Sequence, residues 1–190
     1  MSSGDPTRVR ILNACYALLT EDRVEPTIGA VASRAGISRQ AVYLHFASRT
    51  DLLLAMVEHI NSEAGLPAQL ARLGHASSSR EALATVVEIS IWHAYRLGPA
   101  VIAVNRLAES DVELGARWGQ RVGRQARLLA VVTALRREGE LREGLSTREA
   151  AALLNAVTLP EAITSLRDAG FSQRRLTTLL TETVTRLLCR

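Results

Sequence analysis

The sequence predicts an all-α protein of about nine helices, and three observations carry that prediction. Alternating Val/Ile/Thr/aromatic runs bounded by Asn-Gly or Asp-Gly turns, the marks of β-hairpins, are missing. A serine followed three residues on by an acid recurs at Ser48/Asp51, Ser78/Glu81, Ser110/Glu113 and Ser146/Glu149, each time ahead of an apolar-periodic segment. Breaks fall at Gly36, Gly65-Leu66-Pro67, Gly74 to Ser79, Gly98-Pro99, Gly139 to Gly144 and Gly170.

In chain order, these signals predict a helix from Pro6 to Glu21, two short ones at Ile28 to Ala35 and Arg39 to Phe46, and a longer one from Arg49 to Glu63. A Ser-rich linker follows. Beyond it the pattern gives helices at Arg80 to Leu97, Pro99 to Glu109, Asp111 to Glu138, Thr147 to Ala169 and Gln173 to Cys189. Pro160 should kink or divide the penultimate one, because proline removes a helical hydrogen bond. Unequal helix lengths exclude a solenoid repeat. The expected organisation is an N-terminal three-helix domain over residues 1–50 and a larger C-terminal helical domain over residues 51–190.

At 190 residues, 47% hydrophobic and 22% charged, the chain can build a proper core and is too apolar for disorder. Its apolar runs are too short for a membrane span, and no secretory leader precedes the first helix, so a cytoplasmic protein is expected. Cys15 and Cys189 suggest buried thiols rather than a disulfide framework. His45, His59, His75 and His93 are scattered, and neither a metal nor a cofactor is assigned. Every basic residue is an arginine, and the net charge of +4 does not by itself indicate nucleic acid.

The informative stretch is Thr27 to Arg49, TIGAVASRAGISRQAVYLHFASR. Two short helices joined by Ala35-Gly36-Ile37-Ser38 have helix-turn-helix spacing. Val31, Ala35, Ile37 and Val42 point inward, Ala32 permits a close crossing, Gly36 suits a positive φ, and Ser38 can cap the second helix. Arg39 and Gln40 open that second helix, where a recognition helix meets base edges; arginine suits guanine and glutamine suits adenine. Tyr43, His45 and Arg49 can donate to phosphates. With Thr27, Ser38 and Ala41 these complete the expected DNA-binding set. Between Arg34 and Arg49 there are three arginines and no acid, so the local field is expected to be positive.

This segment resembles the signature of the TetR family of bacterial transcriptional regulators: a small-residue helix, an AGhS-type turn, and a Y-x-H-F-x-S-K run leading into the fourth helix. That run reads Tyr43-Leu44-His45-Phe46-Ala47-Ser48-Arg49, with arginine where the family usually has lysine. Gly29 is also unusual inside the first motif helix. Arg8 to Cys15 resembles the family's first helix, and Asp51-Leu52-Leu53 the start of its fourth. The resemblance implies a homodimer on palindromic double-stranded operator DNA, released by a small, largely apolar effector.

In the C-terminal region, Leu176, Leu179, Leu180, Val184, Leu187 and Leu188 form one broad stripe, and the preceding helix is apolar nearly all round. In TetR-like proteins the last two long helices pair with their copies. Leu153, Leu154, Val157, Leu176, Leu179, Leu180, Val184 and Leu187 are therefore the expected dimer interface, although one intramolecular core would use the same stripes. Trp92, His93, Tyr95, Arg96, Asn105 and Trp118 are the expected effector-pocket residues; core aromatics and surface polar groups fit the same pattern. Arg117, Arg121 and Arg124 share one side of a long helix, a row that can attract an acidic effector but is more often a solvated face, and no site is assigned to it.

No GxSxG, Walker-type or HExxH sequence is present, so enzyme chemistry is not expected. The alternatives to an effector-released repressor are a constitutive DNA-binding protein and a helical protein-interaction module.

Overall fold

The structure, a computed structural model, describes residues 5–121 and 123–190, with side chains except those of 119–121. Its elements are α1 (Pro6–Ala17), a π-type turn (Leu18–Asp22), α2 (Ile28–Ala35), α3 (Arg39–His45), α4 (Arg49–Glu63), α5 (Leu66–Ala71), a 3₁₀ turn (Arg72–His75) and α6 (Ser79–Ser110). These are followed by α7 (Val112–Arg121), α8 (Arg124–Arg137), α9 (Thr147–Val157), α10 (Pro160–Asp168) and α11 (Gln173–Leu188). Among the described residues the one β-type contact is an isolated antiparallel bridge between Leu141 and Cys189.

Side-chain caps set most of the boundaries. Asp5, Thr27, Ser38, Ser48, Ser146 and Ser172 each accept a backbone N–H of the helix they open. At Ser146 the capping box is complete, with Glu149 returning to the Ser146 N–H at 2.9 Å. The expected Ser110/Glu113 box is replaced: Ser110 closes α6 by donating to Leu107 O, and Asp111 caps α7 by accepting Leu114 N–H at 3.0 Å. Asp111 sits one residue nearer the helix and its carboxylate favours the positive helix end.

Three other boundaries differ from expectation. The pair Gly98-Pro99 does not end a helix; α6 runs through it, with Leu97, Ala100 and Val101 buried on either side. Burial of that apolar stretch offsets the one hydrogen bond that Pro99 removes. The expected Asp111 to Glu138 helix is two, because Gly123 takes φ 22° ahead of α8. The Ser-rich linker is preceded by the short α5. Pro160, as expected, divides its helix: Leu159 is extended, as a residue before proline tends to be, and α10 starts at Pro160.

The chain divides into two compact units. The first comprises Met1–Ala64 and Pro99–Gly119; here α1 packs on α2 and α4, and α2 on α3. Ile11, Leu12, Cys15, Val31, Val42, Leu52, Leu53 and Met56 are fully buried in it. Burial pushes the Cys15 thiol up to about 12, against the nearby Arg49 charge, so it stays protonated and inert. The second unit comprises Gly65–Gly98 and Gln120–Arg190. Its core joins α6 (Leu83, Val87, Ile91), α8 (Leu128, Val132, Leu135), α9 (Ala150, Leu154), α10 (Ile163) and α11 (Leu176, Leu180, Val184, Leu188).

Candidate functional site

Local chemistry builds the α2–α3 hairpin. Gly36 adopts φ 66°, the left-handed conformation that glycine takes at least cost, and Ile37 N–H then returns to Ala32 O at 3.0 Å. Ser38 starts α3 immediately, its Oγ accepting Ala41 N–H at 3.1 Å. Val42 and Phe46, one turn apart, face the core. The opposite face of α3 is therefore solvent-facing: Arg39 and Gln40 are exposed, Tyr43 is 55% exposed and Leu44 81%. Leu44 was missed from the sequence, although it lies about 200° around the helix from Val42. An apolar side chain projecting beside Gln40 can meet a thymine methyl or a sugar.

Arg39 has a specific neighbour. A Cβ added at Gly29 would stand 2.8 Å from Arg39 Nη2 and 3.0 Å from its Nε, so the guanidinium lies across the space that glycine leaves open on α2. No carboxylate pairs with Arg39 among the described residues. The other two arginines of the motif are neutralised by acids from other segments. Arg34 binds Glu21 at 2.8 Å and Asp22 at 2.5 Å. Arg49 donates to Glu25 at 2.7 Å, Asp111 at 3.1 Å and the Pro26 carbonyl at 3.0 Å. The positive field expected over the whole window therefore contracts to Arg39. Arg49, expected at phosphate, here has its donors engaged within the first unit.

His45 is half-buried, with Nδ1 3.4 Å from Asp5 Oδ2 and its ring tilted against Phe46. Arg8 lies over the Phe46 ring at 5.0 Å, which places an exposed cation of α1 beside α3. Thr27 is exposed and its hydroxyl is used as the α2 cap, accepting Ala30 N–H at 3.1 Å. Ala41 is half-buried.

The family model "Bacterial regulatory proteins, tetR family" matches residues 11–56, which span α1 to the middle of α4. The first helices of this chain are therefore similar to those of the tetR-family regulators. No curated protein matches it in sequence. Solved structures share the TetR-type fold along nearly the whole chain. FadR from Bacillus subtilis, in complex with stearoyl-CoA, is 19% identical over 93% of this chain and 97% of its own, with a TM-score of 0.74. A transcriptional regulator from Saccharomonospora viridis, in complex with choline, is 20% identical over 96% and 97%, with a TM-score of 0.74. NalD of Pseudomonas aeruginosa, the secondary repressor of the MexAB-OprM multidrug efflux pump, is 23% identical over 97% and 96%, with a TM-score of 0.71.

The residues expected to line an effector pocket fall in both units. In the first, Trp118 Nε1 donates to Asn105 Oδ1 at 2.8 Å. In the second, Arg96 lies 5.7 Å from the Trp92 ring centre, and the Trp92 and His93 rings are 6.5 Å apart. Tyr95 donates its hydroxyl to Phe171 O at 2.6 Å and so ties α6 to the turn before α11. His93 is brought into an interior polar group that the sequence did not delineate. Beside it Arg124, read as solvated, is half-buried and donates to Ser90 Oγ (3.4 Å), Asn155 Oδ1 (3.2 Å) and Thr158 O (2.7 Å). Burial, with the charges of Arg124 and Arg127, drives the His93 pKa down to about 4, and burial with Arg127 lowers Arg124 to about 10. The Arg121 side chain lies outside the described residues.

Half of the expected dimer interface belongs to one protomer's own core. Leu154, Leu176, Leu180 and Val184 are buried within the single chain. They join the core cluster of their own unit, where α11 contacts α9 and α10. Leu153, Val157, Leu179 and Leu187 stay partly exposed. No helix among the described residues is long and apolar enough to cross a membrane.

Proposed function

We propose that this TetR-type chain is a repressor that binds a palindromic operator as a homodimer and leaves it when a small molecule occupies the C-terminal part. The observation that carries the reading is the exposed face of α3, where Arg39, Gln40, Tyr43 and Leu44 project together from a capped, core-anchored helix within the tetR-family match. Arg39 and Gln40 take the base edges, Tyr43 with Arg8 grips phosphates, and Leu44 adds apolar contact. Two such heads would read half-sites about one helical turn, roughly 34 Å, apart.

The homodimer is supported by an outward stripe on α9, with Ala152 and Ala156 exposed, Leu159 37% exposed, and Leu153 and Val157 partly covered. Leu179 and Leu187 offer matching apolar surface on α11. Effector control is supported by analogy of fold with FadR and the Saccharomonospora regulator, whose complexes contain stearoyl-CoA and choline. Reciprocal linkage requires that an effector releasing operator binds the DNA-free form more tightly by the same factor.

The test selects fragments of the source genome with the full-length protein, then measures affinity by anisotropy in moderate salt against competitor DNA. Preference for a two-fold symmetric site, flattened at one base pair of each half by Arg39→Ala, is the expected result. Binding no tighter to selected fragments than to competitor would overturn the reading.

A further inference from the structure

Among the described residues of the second unit, Arg124 and Arg127 bring two positive charges close together at the start of α8. Arg124, at the first position of α8, satisfies its donors on neutral acceptors: Ser90 of α6, Asn155 of α9, and the Thr158 carbonyl and hydroxyl that close α9. Those bonds fix the guanidinium without cancelling its charge. One turn on, Arg127 folds back toward the start of α8, its Nη1 3.1 Å from where a Cβ on Gly123 would stand. It is half-buried and has no hydrogen bond or ion pair among the described residues. Both arginines sit where the α8 dipole is positive, with no acid in the first turn and no side-chain cap at Gly123. His93 of α6 feels the charge of both. Glu161 of α10 is the acid whose field reaches Arg124.

Buried cations are costly unless paired, and a half-buried arginine beside a second one at a positive helix end is a pairing left open. Arginine's planar fork matches the oxygens of a carboxylate or phosphate. We propose that Arg127, with Arg124 one turn away on α8, receives the anionic oxyacid head of the effector, so that the effector is an acidic amphiphile rather than a neutral or cationic compound. This inference rests on the reading of the second unit as effector-receiving. Arg124 acts as a positioning residue, holding charge in place from its bonds to α6 and α9, and Arg127 makes the contact.

The experiment titrates the full-length protein with octanoate, octyl phosphate, octanol and octyltrimethylammonium, and with inorganic phosphate as the smallest probe. Thermal stability and tryptophan fluorescence are the readouts, in wild type, Arg127→Ala, Arg127→Gln and the exposed control Arg148→Ala. The acidic forms should bind at least about tenfold more tightly than octanol to wild type and the control. That preference should shrink to about twofold or less in both Arg127 variants, with octanol affinity unchanged. Relative affinities of octanoate and octyl phosphate distinguish a carboxylate head from a phosphate head. A preference that survives in both Arg127 variants, an alcohol or ammonium form bound best, or no Arg127-dependent response to any acid or to inorganic phosphate would each overturn the proposal. If acids bind through Arg127 and operator remains bound, the anion site stands and the effector-release reading falls.

Discussion

Asp51 and Arg117 meet at 2.6 Å and repeat, with polarity reversed, the pairing of Arg49 with Asp111 at 3.1 Å. The first turn of α4 thus presents a cation and an anion to an anion and a cation around α7. Arg117 and Ser48 hold the Asp51 carboxyl below its ordinary range. Arg49 also holds the Pro26 carbonyl, which fixes the approach to α2. Arg49→Ala should therefore destabilise the first unit by about 1–3 kcal/mol, since it removes charged hydrogen bonds from a mostly covered group. Arg117→Ala, on a more exposed side chain, should cost under about 1 kcal/mol. Thermal melts give the comparison. An Arg49→Ala protein that melts like wild type and merely loses salt dependence on DNA would contradict this role.

Gly29 exposes a trade between helix stability and the placement of Arg39. Alanine in a helix is favoured over glycine by about 0.5–1 kcal/mol, so Gly29→Ala should raise thermal stability slightly. It should also push the Arg39 guanidinium off α2, because the atom it meets is the far end of a flexible side chain. Operator selectivity is expected to change in the Arg39 background and to be indifferent to Gly29→Ala once Arg39→Ala is present. Equal effects of Gly29→Ala in both backgrounds would show that the glycine serves something else.

His93 makes stability depend on acid. Its folded pKa of about 4 lies below the ordinary histidine value, so the unfolded chain binds the proton more readily between those limits. Stability from this group is complete above about pH 6.5 and falls as the pH drops toward 4, by on the order of 3 kcal/mol. Burial is the main cause, and Arg124 and Arg127 of α8 also oppose protonation. His93→Gln should flatten the denaturation midpoint across that window. A wild-type midpoint that is level from pH 7 to 4.5 would refute the assignment.

Leu180→Arg is expected to unfold the second unit rather than release a clean monomer. The side chain belongs to the core cluster of its unit, and an unpaired charge there costs roughly 3–5 kcal/mol. Circular dichroism with light scattering distinguishes the outcomes, and a folded, soluble monomer would return this residue to the subunit interface.

The sequence carried the head in detail because its signals are local. Caps at Thr27 and Ser38, the left-handed Gly36 and the inward Val42 act within a few residues. What it hid depends on distant partners. Arg34 and Arg49 look free in their own window, and only the fold brings Glu21, Asp22, Glu25 and Asp111 to them. The apolar stripe of α11 was visible, but periodicity records that a face needs burial and not whether the core of its own unit or a second copy supplies it. Arg124 looked solvated because a helical row of arginines has the same spacing on the outside as across an interior.

Trp118, bonded to Asn105, belongs to the first unit, and Trp92, beneath Arg96, to the second; the chain has two tryptophans and each unit holds one. The protein therefore carries a native pair of optical labels. Trp92→Phe leaves an emission that reports on the first unit alone, and Trp118→Phe leaves one that reports on the second, so quenching, lifetime and melting of the two units can be followed separately without attaching a dye.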